Sequence, residues 1–192
     1  MLSSDIDEQI LSALAQVFTT ELITNVAGDP LALKTLKQFD LQDDPTQVAP
    51  YLVYGPAKNE DGNIRQPSSE EERMFGWCPA EIGGPLRYVH LFEAKFGTPL
   101  SASRETARQT AAALLSRIAG VIIKYQDLSG VLSSGGELAS ADFSRILRGS
   151  NPLLVTQMGY RIYGGEQTFY GEGKLSWRYP VEWFMQTHTF GG

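Results

Sequence analysis

Residues 86–126, LRYVHLFEAKFGTPLSASRETARQTAAALLSRIAGVIIKYQ, decide the fold of this chain. In the first part Tyr88, His90, Phe92, Ala94 and Phe96 fall on one face at the period of two that a strand requires. On the other face Val89 and Leu91 give way to Glu93 and Lys95, which predicts a strand buried on both sides at its start and half-exposed at its end. Gly97-Thr98-Pro99 then breaks the strand. Beyond it Ala107, Ala111, Leu114, Leu115, Ile118, Ile122 and Tyr125 recur at helical spacing, with Ser101 or Ser103 available as an N-cap. A helix from Ser101 to Gln126 would run roughly 40 Å at 1.5 Å per residue, long enough to cross a whole sheet.

Upstream, Ile6, Ile10, Ala13, Leu14 and Val17 form one helical stripe, and Leu11, Phe18 and Leu22 add a second. This predicts an N-terminal helix over Asp5–Asn25, with acids in its first turn. Gly28-Asp29-Pro30 stops it, and Leu31–Phe39 is expected to be a second, shorter helix. Tyr51–Tyr54 is a short strand and Met74–Ile82 another. Between them Pro56–Arg73 is polar, rich in Asn, Gly, Pro and Ser, and ends in three consecutive glutamates. So long a loop is expected to be either a mobile surface segment or a contact arm that orders on assembly.

Downstream, Glu137–Leu147 can be read as helix or strand. Leu153–Tyr163, Gln167–Tyr170 and the segment from Lys174 onward are strands of an antiparallel meander, punctuated by Gly164-Gly165 and Gly171-Glu172-Gly173. In the last strand Leu175, Trp177, Tyr179, Val181, Trp183 and Met185 share a face, and Lys174, Ser176, Arg178 and Glu182 share the other. Pro180 implies an edge, a bulge or a bend there. The whole is predicted as one α+β domain over residues 1–192: a largely antiparallel sheet crossed by one long helix, with an N-terminal helix and a polar arm at 56–73.

Composition narrows function. With 192 residues and 42% hydrophobic side chains the chain can build one real core, and no apolar run reaches the roughly 18 residues of a membrane span. Acids in MLSSDIDEQI, where a leader would carry bases, predict a cytoplasmic product. One cysteine, Cys78, excludes an internal disulfide. Charge is uneven: Met1–Gly84 carries -9 and Pro85–Gly192 +3 of the net -6. Such a split can steer copies together head to side, or simply be a solvated surface. The densest basic cluster, Arg145 and Arg148, is too small for a nucleic-acid stripe.

Catalytic motifs are absent. Gly171-Glu172-Gly173 lacks the third glycine of a dinucleotide fingerprint and is not followed by a helix. Cys78, between Trp77 and Pro79, reads as a small buried hydrophobe; His90 reads as a core histidine and His188 as a solvated one. Glu93, Glu166, Glu172 and Glu182 lie on or beside strands, where a glycosidase would mount two carboxylates about 5 to 9 Å apart, yet they read more simply as exposed or edge acids. No catalytic, cofactor or metal residue is therefore assigned. Two other classes stay open: a small hydrolase using these carboxylates or Cys78, and a monomeric binding domain using Trp177, Tyr179 and Trp183 as a ligand platform.

The order of elements resembles the tail terminator proteins of tailed bacteriophages. Tyr88–Lys95 passing through Gly97-Thr98-Pro99 into Ser101–Gln126, then Asn151–Tyr163 and Phe169–Thr187, look like that family's strand, crossing helix and final meander, over a little more than half of the chain. Another neck or minor tail protein, such as a connector or stopper, has a similar texture. The resemblance implies a structural, non-enzymatic virion protein without cofactor, made in the host bacterial cytoplasm. It implies a hexameric ring at the head-proximal end of the tail tube, which ends tube growth and joins the tail to the head. The implied partners are further copies, the tube protein, the head–tail connector or stopper and, in a contractile tail, the sheath. DNA would pass through an acid-lined lumen, and no membrane is involved.

Overall fold

The computed structural model describes residues 3–23, 34–37, 50–63, 65, 86–125, 128, 144–146 and 155–183. In chain order the elements are helix α1 (Ser3–Phe18) with a π-helical extension (Thr19–Ile23), strands β1 (Lys34–Lys37), β2 (Tyr51–Pro56) and β3 (Leu86–Gly97), helix α2 (Arg104–Lys124), and strands β4 (Ser144–Ile146), β5 (Gln157–Gly164) and β6 (Phe169–Trp183). The strands form one sheet in the order β1-β2-β3-β6-β4, with β5 also paired to β6. Every pairing is antiparallel except β1 with β2. The fold is α+β, a largely antiparallel sheet crossed by one long helix.

The decisive stretch folds as its spacing predicts. β3 and β6 pair without interruption from Leu86↔Trp183 to Gly97↔Glu172. Ser103 caps α2, its Oγ accepting from the Thr106 N–H at 3.3 Å. The apolar stripe of α2, Ala107, Ala111, Leu114, Leu115, Ile118 and Ile122, is buried. It meets Phe92, Ala94 and Phe96 of β3 and Leu175, Trp177 and Tyr179 of β6 in one core. Phe92 is stacked on Trp177, 6.1 Å between centroids, and meets Tyr179 edge-on at 5.6 Å. Such aromatic pairs add about 0.5 to 1.5 kcal/mol beyond the area they bury.

Both stripes of α1 are buried in this same core: Ile10, Ala13, Leu14 and Val17 from one, Leu11 and Phe18 from the other, leaving Ser12 and Gln16 exposed. The wide face is thus consumed inside the domain. The regular helix stops at Phe18, and the π turn carries Glu21 to the end of α2. There the Glu21 carboxylate accepts from Lys124 Nζ and Tyr125 Oη, both at 2.6 Å. These two donors, Lys124 first, hold the Glu21 carboxyl below its usual pKa.

Three local readings are corrected. Lys34–Lys37, inside the expected second helix, is a strand whose Lys34 is in parallel register with Tyr51. So short a helix lacks the turns to repay its nucleation, whereas Lys-Thr-Leu-Lys fits an edge strand. Gly171-Glu172-Gly173 does not end a strand, because β6 runs through it. Phe96 sits opposite Gly173, and a Cβ there would overlap its ring; at Gly171 a Cβ would lie 2.6 Å from the Ala111 methyl. These glycines are clearance for a ring and a helix rather than turns. Last, β6 is central and continuous through Pro180, which is in register with Val89. Ser176 turns its carbonyl away from β3, accepting from Thr156 N–H at 2.8 Å. By alternation Pro180 turns its nitrogen the same way, to the interval after β5 pairing ends at Ser176 and before β4 pairing begins at Val181. The missing N–H costs no ladder bond there.

Within the ambiguous segment 137–147, residues 144–146 form strand β4, and the rest lies outside the described residues. The polar loop begins as a closed turn: Arg65 N–H donates to Ala57 O at 2.7 Å, Asn59 N–H to Asn63 O at 2.9 Å and Gly62 N–H to Asn59 O at 3.0 Å. Gly62 has the positive φ of 79° that such a turn needs. The rest of the expected arm, residues 64 and 66–73, and the strand expected at Met74–Ile82 lie outside the described residues.

Candidate functional site

With α1 and α2 on one face, the other face of the sheet carries the polar side chains. Along β3 it presents Leu91, Glu93 and Lys95; along β6 Glu172, Lys174, Ser176 and Arg178; along β5 Gln157, Arg161 and Tyr163; and from β2 Tyr51 and Val53. At one end these strands enclose a groove of about 410 Å³, lined by Tyr51, Lys95, Gln157, Arg161, Tyr163, Glu172 and Lys174.

Glu93 is the unexpected residue. It was expected on the half-exposed end of its strand, yet its side chain is only 2% exposed. Its carboxylate meets Lys174 Nζ at 2.6 Å and Lys95 Nζ at 3.5 Å. Lys95 and Lys174 are directly opposed across β3 and β6, a like-charge pairing that would repel without a shared anion. Glu93 supplies it. A carboxylate so buried is tolerable only when paired, so the three groups form one unit. At the end of the groove the Tyr51 ring covers Gly97, where a Cβ would overlap it, and the hydroxyl approaches Glu172 Oε1 at 3.5 Å. Arg161, in register with Glu172, is exposed and forms no ion pair among the described residues. Tyr163, 40% exposed, stacks on Tyr170 at 5.5 Å.

This arrangement decides among the sequence candidates. Glu172 sits opposite Gly97, four residues along β3 from Glu93, so their backbone positions are about 13 Å apart along the strand with two lysines between them. That is a stripe of alternating charge, not an acid/base dyad. Glu166 is exposed in the β5–β6 turn, and the backbone of Glu182 is in register with Arg87 on one side and Arg145 on the other. His90, half-buried, shares the core face with Phe92 and lies opposite Tyr179. Cys78 and His188 lie outside the described residues. The aromatic platform is corrected: Trp177 and Tyr179 are wholly buried, because α2 covers them, while the side chain of Trp183 lies outside the described residues. No group of three His, Cys, Asp or Glu that could hold a metal ion is gathered among the described residues.

A second feature is the outer edge. β5 pairs only with β6 among the described residues, and most of its length is exposed, including Met158 at 55%. Most of the groove residues are visible singly in the sequence, but their gathering is not, because the signal is spread over four strands. Glu93 and Lys95, then Glu172, Lys174, Ser176 and Arg178, then Arg161 and Tyr163 each alternate locally, but only the registers bring them together. Compared with known proteins, the chain matches no protein-family model and no curated protein sequence.

Proposed function

We propose that this chain is a structural protein of a tailed-phage virion, forming a ring at the head-proximal end of the tail tube, where it stops tube growth and docks the tail to the head connector. The observation that supports the reading is the element order, helix, strands, long crossing helix and closing β5–β6 hairpin, in a single sheet with an exposed outer strand, β5. An eight-residue edge carrying Met158 and Tyr163 is a surface that folded proteins normally cover, and pairing or packing with a neighbouring copy covers it. The carboxylate hydrolase is the weaker reading, since Glu93 and Glu172 are separated and Glu93 is committed to two lysines. One axial face is proposed to mimic the end of a tube ring and the other to meet the connector, with acids toward the lumen so that DNA slides without sticking.

A phage lacking this gene is expected to yield filled heads with overlong or unattached tails under electron microscopy. Tails of normal length joined to heads in that mutant would overturn the reading.

A further inference from the structure

We propose that the groove on the helix-free face is a receptor for the acidic turn at residues 59–63 of a second copy of this chain. The proposal rests on the reading of the chain as a ring subunit, and it names the contact that would join one subunit to the next.

Charge selects the occupant. The groove is lined by Lys95, Lys174 and Arg161 against one carboxylate, Glu172; Glu93 beneath neutralises one lysine. It keeps a net positive charge, and among the described residues Arg161 has no counterion. The turn carries the converse. Glu60 and Asp61 are both exposed and form no ion pair among the described residues, and the flanking Lys58 and Arg65 have interactions elsewhere. Tyr163, 40% exposed, flanks the groove with a hydroxyl able to donate to a carboxylate.

Geometry decides that the occupant belongs to another copy. The groove lies at the Tyr51 end of β2, level with Gly97 of β3. The turn follows the opposite end of β2 and is anchored where Ala57 N–H donates to Leu91 O at 2.8 Å. Held there by its own backbone bonds, the turn keeps Glu60 and Asp61 exposed and clear of any ion pair among the described residues, so it does not occupy its own groove. A surface at one end that complements a different surface at the other is a heterologous contact, and repetition of such a contact closes a ring when the rotation permits. The turn is also preformed: Asn59 Oδ1 accepts from Asn63 N–H at 2.9 Å, in addition to its backbone bonds. Docking it therefore orders little additional chain.

The test is a charge swap on the full chain, read by sedimentation velocity at low ionic strength over a range of concentrations. Wild type is expected to associate, and salt to weaken that association. The groove variant Arg161→Glu and the turn variant Glu60→Lys/Asp61→Lys should each require at least tenfold higher concentration to associate. Both change exposed side chains that form no ion pair among the described residues, so an unchanged thermal midpoint serves as the folding control. An equimolar mixture of the two should recover association, because every junction in an alternating assembly is again complementary. Wild type that stays monomeric throughout, variants that assemble like wild type, or a mixture that does not recover would each overturn the proposal. Variant assemblies that still form rings would do so while leaving the ring reading standing, and the gene-deletion phenotype tests that reading separately.

Discussion

The two faces of one sheet are built from the same strands and differ in what holds them. On the helix side Phe92, Ala94, Phe96, Leu175, Trp177 and Tyr179 pack into a closed apolar core. One residue over, on the same strands, stand Glu93, Lys95, Lys174, Ser176 and Arg178, where burial of Glu93, Ser176 and Arg178 coexists with charge. The strand period of two thus writes two different chemistries into one backbone. The first is secured by shape and area. The second is secured by pairing one buried carboxylate, Glu93, with two lysines that solvent still reaches.

The contrast can be broken from the helix side first. Trp177→Ala, or Ile118→Ala on α2, removes a fully buried side chain and should cost about 3 to 5 and 2 to 5 kcal/mol respectively in urea unfolding. On the charged face Lys174→Met should cost about 2 to 4 kcal/mol by removing the nearer of the two lysines that meet buried Glu93. An ordinary solvated face would lose less than about 0.5 kcal/mol on the same change, so the measurement separates the two descriptions. Where the faces meet along β6, Gly173→Ala drives a methyl into Phe96 and should cost about 1 to 3 kcal/mol with a shifted near-ultraviolet signal. A neutral result would mean that the ring moves aside freely.

The smallest effect concerns an exposed group. Glu105, at the start of α2, accepts from Arg108 Nε at 2.9 Å and from Gln109 Nε2 at 3.0 Å, which lowers its pKa from the usual 4.5 to about 2. The folded value lies below the unfolded one. Its stabilisation is therefore present above about pH 4.5 and lost as the pH falls towards 2. Glu105→Gln should slightly flatten the acid limb of the stability curve in that window and leave neutral pH almost unchanged. An unaltered acid limb would show that the pair is screened away by solvent.

Much of the helix-side face was legible in the sequence, because strand and helix periods are local. Phe92, Ala94 and Phe96 declare a face within five residues, and Ala107 to Ile122 declare a stripe. Failures came where a tertiary partner overrode local pattern. Lys34–Lys37 becomes a strand only because the edge of β2 is there to pair with it. Gly171 and Gly173 punctuate a sequence but not a strand, since the clearance they provide is for Ala111 and Phe96, far away in the chain. The groove was least legible, because the burial of Glu93 depends on a register between β3 and β6 that no local signal specifies.

That β3–β6 ladder also sets the order of events in folding. It joins Gly97 to Glu172 and Leu86 to Trp183, so the central seam of the sheet closes across a long stretch of intervening chain. A growing polypeptide emerging from the ribosome displays β3 and the apolar stripe of α2 long before β6 exists to sit between β3 and the outer strands. The high sequence separation slows the search and prolongs the interval in which β3 has a bare edge. Loss of the last dozen residues of β6 would then not trim this protein but remove its middle.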